Sequence, residues 1–149
     1  MTSTGRSCAK ESFKRPRTEY VVEKVTLALN NLKKSLNGSK ILVLGIAYKR
    51  DISDVRESPA LDIIKLLQKK GGLVSYNDPY AATVRLDGDE KAHSVKLTKQ
   101  MLASYDCVII VTDHSDYDYQ WIVDNAKLII DTRNAAKKVT RGRSKIVKL

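Results

Sequence analysis

The segment 41–46 reads Ile-Leu-Val-Leu-Gly-Ile, a short apolar run that lies between turn residues. A run of this length with no polar face is typical of a strand that is covered on both sides. Three further strands are predicted at 73–76, 107–111 and 128–130, of which 107–111 is again an uninterrupted apolar run. Helical patterns separate these runs. The alternation predicts an α/β fold, a three-layer sandwich with a mainly parallel sheet and helices on both faces.

Helical spacing is clearest before the first run. Apolar residues recur there at intervals of three and four, and they predict one buried helix face: Val22, Val25, Leu29, Leu32 and Leu36. Thr18 is the expected N-cap, and Asn37-Gly38 is the expected stop. A long helix over 16–38 is therefore predicted to precede the sheet.

Later elements are shorter. Ser58-Pro59 is typical of a helix start, with Ser as N-cap and Pro at the first helical position. Short helices are predicted over Thr98–Ser104 and Asp116–Asn125. A last, weak strand is predicted at Lys145–Val147.

The net charge of +10 is concentrated at the two ends of the chain. Residues 1–40 hold nine Lys/Arg against three acids, and 136–149 hold six Lys/Arg and no acid, whereas 41–135 hold twelve against fourteen. We interpret 1–15 as a disordered leader and 136–149 as a basic, solvated tail of a domain that spans 39–149. A near-neutral centre argues against nucleic-acid binding, which stays the less favoured alternative.

The leader has no apolar core of a secretory signal, and no apolar stretch approaches the ~20 residues that span a bilayer. Cys107 lies in an apolar run and is expected in the core, whereas Cys8 lies in the polar leader. Two such cysteines form no disulfide framework, so we expect a cytoplasmic protein with no membrane partner.

Parallel sheets bind ligands beyond the carboxyl ends of their strands, which selects the loops 45–58, 77–80, 112–116 and 131–135. The first loop has one glycine, so it matches neither a dinucleotide fingerprint nor a phosphate-binding P-loop. Tyr48 could stack on a base or ribose, and Lys49 could reach a phosphate. The charged residues after them are interpreted as a surface ion-pair lattice, with ligand contact as the alternative: Asp51, Asp54, Arg56 and Glu57.

Two other strand ends hold candidate residues. Arg133 could contact a phosphate through two hydrogen bonds or could pair with a nearby acid, and its position leaves both open. The Asp113-His114 pair suggests acid–base chemistry, but no nucleophile accompanies it, and a histidine bonded within a loop is the favoured interpretation. The histidines and cysteines do not have the spacing of a zinc site, so no metal is expected.

Several ordered motifs within about residues 16–135 resemble the C-terminal UDP-binding domain of the UDP-glucose/GDP-mannose dehydrogenase family. The resemblance begins in Glu19–Val25 and is strongest in Gly-Ile-Ala-Tyr-Lys-Arg-Asp-Ile-Ser-Asp-Val-Arg-Glu-Ser-Pro-Ala (45–60). It continues through Asn77–Tyr80, Thr112–His114 and Ile130–Asn134. The sequence Thr-Asp-His-Ser with Tyr117 and Tyr119 is more similar to the branch that oxidises UDP-N-acetylhexosamines.

The resemblance implies a Rossmann-like domain that binds a UDP-sugar for an NAD-dependent oxidation of the C6 alcohol to a carboxylate. Tyr48 and Lys49 match the aromatic–lysine pair that contacts the nucleotide-sugar, and Arg133 matches an arginine that reaches the substrate. Further candidate loop contacts are these residues: Gly45, Asp78, Thr112, His114 and Asn134. Nothing in the sequence resembles the NAD domain or the segment around the catalytic cysteine, so no catalytic residue and no bound cofactor are expected in this chain.

These departures imply that the chain is inactive alone. A separate chain could carry the NAD-binding and central domains, and a homo-oligomer is expected. The alternative is a non-catalytic interaction or dimerisation module derived from this domain, in which the apolar face of the first helix would be free to bind a partner.

Overall fold

A five-stranded parallel sheet forms the centre of the protein in the computed structural model, which describes residues 15–47, 51, 58–86 and 91–149. The described strands are β1 (Lys40–Leu44), β2 (Leu73–Asn77), β3 (Thr83–Arg85), β4 (Lys91–His93), β5 (Cys107–Ile110), β6 (Ile129–Asp131) and β7 (Ile146–Lys148). The sheet has the order β2-β1-β5-β6-β7, and β3 pairs with β4 in a small antiparallel hairpin. The predicted parallel sheet is confirmed.

The helices are α1 (Arg15–Asn31), α2 (Pro59–Lys69), α3 (Lys99–Ser104) and α4 (Tyr119–Asn125), followed by a 3₁₀ turn at Arg143–Lys145. Three of them begin at side-chain caps. The Ser58 hydroxyl accepts the N–H of Ala60 at 3.1 Å, Thr98 accepts that of Met101 at 3.0 Å, and Asp118 accepts that of Trp121 at 3.2 Å. Each cap satisfies a donor that the first helical turn leaves unpaired.

Both faces of the sheet are covered, which explains why the central strands β1 and β5 are almost entirely apolar. On one face Ile41 and Val43 pack in a cluster with residues of α1 and α2. On the other face Leu42 and Leu44 pack in a second cluster with residues of α3 and α4. The predicted three-layer α/β sandwich is therefore observed, with a separate apolar core on each side of the sheet.

Helix α1 differs from its prediction at both ends. It is already helical at Arg15, so Thr18 lies inside the helix and is not the expected N-cap. It ends at Asn31, before the expected stop at 37–38, because a turn follows in which Lys33 adopts a left-handed φ of 62°. Leu32 is consequently 49% exposed rather than part of the buried face. Val22, Val25 and Leu29 are buried as expected, but against the protein's own α2 and sheet. The expectation that this apolar face is free for a partner is therefore wrong.

The basic C-terminal segment is not a solvated tail. Strand β7 pairs in parallel with β6, so that Ile146 lies opposite Ile129. Arg143 donates to the carbonyl oxygens of Ala136 and Val139 at 3.1 and 2.7 Å, and Lys145 donates to that of Val123 at 2.9 Å. Part of the charge that the sequence places at this end thus stabilises the fold.

Residues 1–14 lie outside the described part of the chain, and the predicted leader with Cys8 stays a prediction. In the part that is described, no helix is long and apolar enough to cross a membrane.

Candidate functional site

The topology places a crevice at the carboxyl ends of β1 and β5. The chain runs from β1 to β2 on one side and then crosses to β5 on the other side of β1. Loops that leave two such strands diverge, and the gap between them is the usual ligand site of open α/β sheets. The loops that follow β1 and β5 therefore define the first region in which to look for function.

Gly45 begins the loop after β1 and has a φ of 87°, a conformation that side chains disfavour. A Cβ at this position would overlap the backbone carbonyl oxygen of Thr112. The Thr112 hydroxyl in turn donates to the carbonyl oxygen of Ala47 at 2.6 Å. These contacts hold the first residues of the loop tightly against the end of β5.

Asp78 follows β2 and is 2% exposed. Its Oδ2 accepts the N–H groups of Ile46 at 2.7 Å and Ala47 at 2.9 Å, and its Oδ1 accepts the N–H of Tyr80 at 2.7 Å. A buried carboxylate needs such donors, because leaving it unpaired in the interior would cost several kcal/mol. Asp78 is thus an anchor that joins the loop after β1 to the end of β2.

His114 is fully buried beside Asp78. Its Nε2 lies 2.9 Å from Asp78 Oδ2, and its Nδ1 lies 2.7 Å from the backbone N of Asp51. A backbone N–H can only donate, so Nδ1 accepts and carries no proton. Nε2 therefore carries the proton and donates a hydrogen bond to Asp78. These two bonds assign a neutral imidazole with its proton on Nε2.

Tyrosine rings surround the imidazole. The ring centroids of Tyr80 and Tyr117 lie 4.8 and 6.0 Å from that of His114, and the Tyr119 hydroxyl donates to the His114 carbonyl oxygen at 2.9 Å. The Tyr117 hydroxyl lies 2.8 Å from two oxygens of Asn77, and burial, together with the charge of Asp78, raises its pKa. Tyr117 therefore acts as a neutral hydrogen-bond donor.

Asp51 connects the loop after β1 to the end of β5. Its carboxylate accepts the backbone N–H of Ser115 at 2.8 Å and the Ser115 hydroxyl at 2.7 Å. Its φ of 59° is left-handed, which Asp tolerates better than most residues. The sequence interpretation placed Asp51 in a surface ion-pair lattice, whereas these bonds connect two loops; Asp54, Arg56 and Glu57 lie outside the described residues.

The end of β6 is built on a second buried carboxylate. Asp131 is 1% exposed, and it accepts the N–H groups of Arg133, Ala135 and Ala136 at 3.1, 3.0 and 2.9 Å. These bonds close a tight turn in which Asn134 has a φ of 59°. The turn presents Arg133 to solvent.

Arg133 has a 40% exposed side chain, and its Nε lies 3.7 Å from Asp113 Oδ1. It borders an open cleft of about 490 Å³ between the loops after β5 and β6, together with Asn134, Lys137 and Lys138. It also borders a smaller, more apolar cleft of about 140 Å³ that Tyr20, Pro59 and Val111 line. The neighbouring acid that the sequence suggested is present, but its long contact leaves much of the guanidinium accessible.

The predicted site residues separate into three groups. Gly45, Asp78, Thr112 and His114 converge on the crevice, where their described bonds are to the protein itself. Arg133 and Asn134 face the cleft beside it. Tyr48 and Lys49 lie outside the described residues. Two roles could not be recognised in the sequence analysis: that of Asp131 in closing its turn, and that of Asp51 in joining two loops. For Asp131 the available signal was its position two residues before Arg133, since a short acidic side chain there can accept the N–H groups of the turn.

The one cysteine among the described residues is not accessible as a nucleophile. Cys107 is fully buried in β5, as expected, and burial raises the pKa of its thiol. Among the described residues, no group of three or more His, Cys, Asp and Glu is placed to hold a metal ion.

A dinucleotide turn uses the backbone N–H groups that follow the first strand to bind a pyrophosphate. Here the N–H groups of Ile46 and Ala47 donate to Asp78 instead. The described residues therefore do not fit NAD at this turn.

The sequence matches the UDP-glucose/GDP-mannose dehydrogenase family, UDP binding domain, over residues 42–138. The chain therefore belongs to this family. It is 30% identical over 123 residues to the UDP-N-acetyl-D-mannosamine dehydrogenase of Methanococcus maripaludis (strain C7), covering 77% of this chain and 27% of that protein. It is 34% identical over 128 residues to the UDP-glucose 6-dehydrogenase of Rickettsia bellii, covering 81% of this chain and 29% of that protein.

The fold is shared with the UDP-D-ManNAc dehydrogenase of Pyrococcus horikoshii, with a TM-score of 0.68 and 24% identity. The alignment covers 88% of this chain and 29% of that structure. The chain thus spans less than a third of the length of these relatives, all of which are named as dehydrogenases.

Proposed function

We propose that this chain binds the nucleoside diphosphate part of a UDP-sugar at the carboxyl edge of its sheet. The observation that carries the proposal is the accessible guanidinium of Arg133. The turn at Asp131 holds it at the mouth of a cleft next to the crevice between the loops after β1 and β5. A planar guanidinium suits a phosphate, because it donates two parallel hydrogen bonds. Tyr48 and Lys49 join it through the family resemblance, as a stacking ring and a second cation.

The chemistry that this binding would serve is the NAD-dependent oxidation of a sugar C6 alcohol to a carboxylate. The chain would hold the substrate, and the NAD domain and the catalytic cysteine would come from other residues, either of a longer protein or of a separate chain. The chain alone is then inactive, and the longer protein or the separate chain would bring the binding and oxidising parts together. Association of the chain with further copies of itself is proposed in addition.

The sugar is proposed to be a UDP-N-acetylhexosamine. The resemblance of residues 112–119 to that branch supports this choice, although relatives named for mannosamine and for glucose match at similar identity. Competition between UDP-N-acetylglucosamine and UDP-glucose for the chain would decide it. Tighter binding of UDP-glucose would overturn the choice of sugar.

The binding proposal is tested by calorimetric titration with UDP and with UDP-N-acetylglucosamine at moderate salt. Both are expected to bind and to raise the melting temperature, because a ligand that binds only the native state stabilises it. CDP serves as the control for recognition of the base. An absence of heat and of thermal stabilisation with both UDP ligands would overturn the proposal.

Arg133→Ala is expected to weaken UDP binding by about 1.5–3 kcal/mol, since it removes a charge-assisted contact. Lys49→Ala is expected to have an effect of the same size. Arg85→Ala removes the same charge from the exposed hairpin strand β3, and it controls for the general loss of positive charge. Wild-type affinity in both Arg133→Ala and Lys49→Ala would refute the site assignment.

A further inference from the structure

His114 is fully buried in the crevice, and its ring connects the two ends of the gap between Ala47 and Asp51. It bonds directly to Asp51, and it reaches Ala47 through Asp78. On one side, its Nε2–H donates to Asp78, whose Oδ2 also holds the N–H of Ala47. On the other side, its Nδ1 accepts the N–H of Asp51 at 2.7 Å. The three residues between these two fixed points include Tyr48 and Lys49.

We infer that His114 is a positioning residue for nucleotide binding, which acts by tethering the loop after β1 at Asp51. The inference rests on the proposed function. It assigns His114 neither a contact with the nucleotide nor a proton-transfer step, because Tyr80 and Tyr117 flank its ring and both ring nitrogens already have protein partners.

The arrangement explains why a histidine stands here. The position requires an acceptor toward a backbone N–H and a donor toward a carboxylate, in one rigid ring. Imidazole with its proton on Nε2 supplies both. A second bridge, from the Asp51 carboxylate to the N–H and hydroxyl of Ser115, holds the same loop to the residue that follows His114. The tether thus connects the loop to the end of β5 through two adjacent residues.

Two substitutions separate the two bonds of the imidazole. In His114→Asn the amide oxygen can take the place of Nδ1 and accept from Asp51, while the donor to Asp78 is lost. In His114→Gln the amide nitrogen can take the place of Nε2 and donate to Asp78, while the acceptor for Asp51 is lost. Both variants remove the imidazole ring, and Asn is one methylene smaller than Gln. A general loss of packing would therefore affect His114→Asn more, which is the reverse of the order expected from the tether.

The experiment measures UDP affinity by calorimetry in the full chain, at a temperature where circular dichroism shows each variant to be folded. His114→Gln is expected to bind UDP about tenfold more weakly than wild type, the effect of one lost hydrogen bond, and His114→Asn within about threefold of wild type. His93→Gln is the matched control, because His93 lies exposed in β4 and its change should leave affinity unaltered.

Amide hydrogen exchange at Asp51 gives a second measurement that needs no ligand. Exchange should accelerate in His114→Gln and stay close to wild type in His114→Asn. Equal affinities in the two variants, or equal exchange rates, would overturn the positioning role. Should neither variant fold, exchange at Asp51 in wild-type protein decides, since a rate equal to that of an unprotected amide excludes the tether. Failure of wild-type protein to bind UDP would instead overturn the proposed function, and the exchange data would still report the tether.

Discussion

Two buried aspartates lie at the carboxyl ends of β2 and β6, which β1 and β5 separate in the sheet, and both accept hydrogen bonds from backbone N–H groups, one locally and the other from distant residues. Asp131 accepts three backbone N–H groups from residues two to five positions further along its own turn. Asp78 accepts one from Tyr80 and two from residues 31 and 32 positions earlier in the chain, and it also accepts from His114. One carboxylate shapes a local turn, and the other joins three loops.

The difference shows how this edge of the sheet combines stability with access. The turn at Asp131 keeps its carboxylate buried but leaves Arg133 and Asn134 in solvent, where they can meet a ligand. The loops around Asp78 direct their polar groups inward, which makes that region a support for whatever the loop after β1 binds. Substitution of the two aspartates should therefore affect different properties.

Asp78→Ala should have the largest effect on stability. It leaves the N–H groups of Ile46 and Ala47 and the donor of His114 without partners in a dry region, and each unpaired donor costs about 1–3 kcal/mol. A loss of roughly 4 kcal/mol or more is expected, a large share of the free energy of unfolding of a typical domain. Urea denaturation measures it, and a loss below about 1.5 kcal/mol would show that the three loops do not depend on this joint.

Asp131→Ala should cost less, about 2 kcal/mol, because the turn lies beside solvent and water can satisfy part of the released N–H groups. It should also weaken UDP binding, since it frees the turn that presents Arg133. The same urea experiment and titration report both effects. A stability loss equal to that of Asp78→Ala would remove the distinction between the local and the long-range carboxylate.

Tyr117→Phe should lower the free energy of unfolding by about 1 kcal/mol, the usual contribution of one hydrogen bond. The hydroxyl that it removes lies 2.8 Å from Asn77, one residue before Asp78. Tyr20→Phe, at a tyrosine that is 46% exposed, provides the control and should change little. Similar losses of stability in the two variants would mean that Tyr117 contributes through packing alone.

Asp106, just before β5, is a third aspartate whose carboxylate accepts a backbone N–H, but it has one such donor. Its substitution is therefore expected to have the smallest effect on stability. Desolvation alone would raise its pKa, but the N–H of Lys40 and the ammonium of Lys34 at 3.0 Å outweigh it and hold the pKa below its usual value. A lowered pKa contributes stability above the unfolded value of about 3.9, and the contribution disappears as pH falls through the folded value.

Unfolding of wild type and Asp106→Asn between pH 6 and about pH 2.5 measures this contribution. The two should differ by less than about 1 kcal/mol at neutral pH and converge in acid. A difference that grows as the pH falls would contradict the assignment.

Much of the fold could be predicted from local pattern, because strands buried on both faces and helices with side-chain caps leave local signals. The runs at 41–46 and 107–111 and the caps at Ser58 and Thr98 illustrate this. The end of α1 could not be predicted, since the residues after Asn31 are ordinary helix formers and the turn there depends on tertiary contacts. The family motifs identified which loops matter, but not how they are connected.

The joint between Asp78 and His114 illustrates what the sequence lacks. The two residues are 36 positions apart, and only the crossover between β2 and β5 brings them within hydrogen-bonding distance. The residues next to His114 suggested a histidine that is hydrogen-bonded within a loop, and the structure does show such bonds. They did not identify its partners, because two loops must first be folded to supply them.

Strand β7 also affects where the boundary of this domain should be drawn. The similarity to the family ends at residue 138, whereas β7 and the 3₁₀ turn before it lie at 143–148. A fragment cut at the end of the similarity would lose its outermost strand and leave the hydrogen-bonding groups of β6 open to strands of other molecules, a known route to aggregation. Anyone who isolates this domain should therefore retain the last eleven residues, although they resemble an expendable tail.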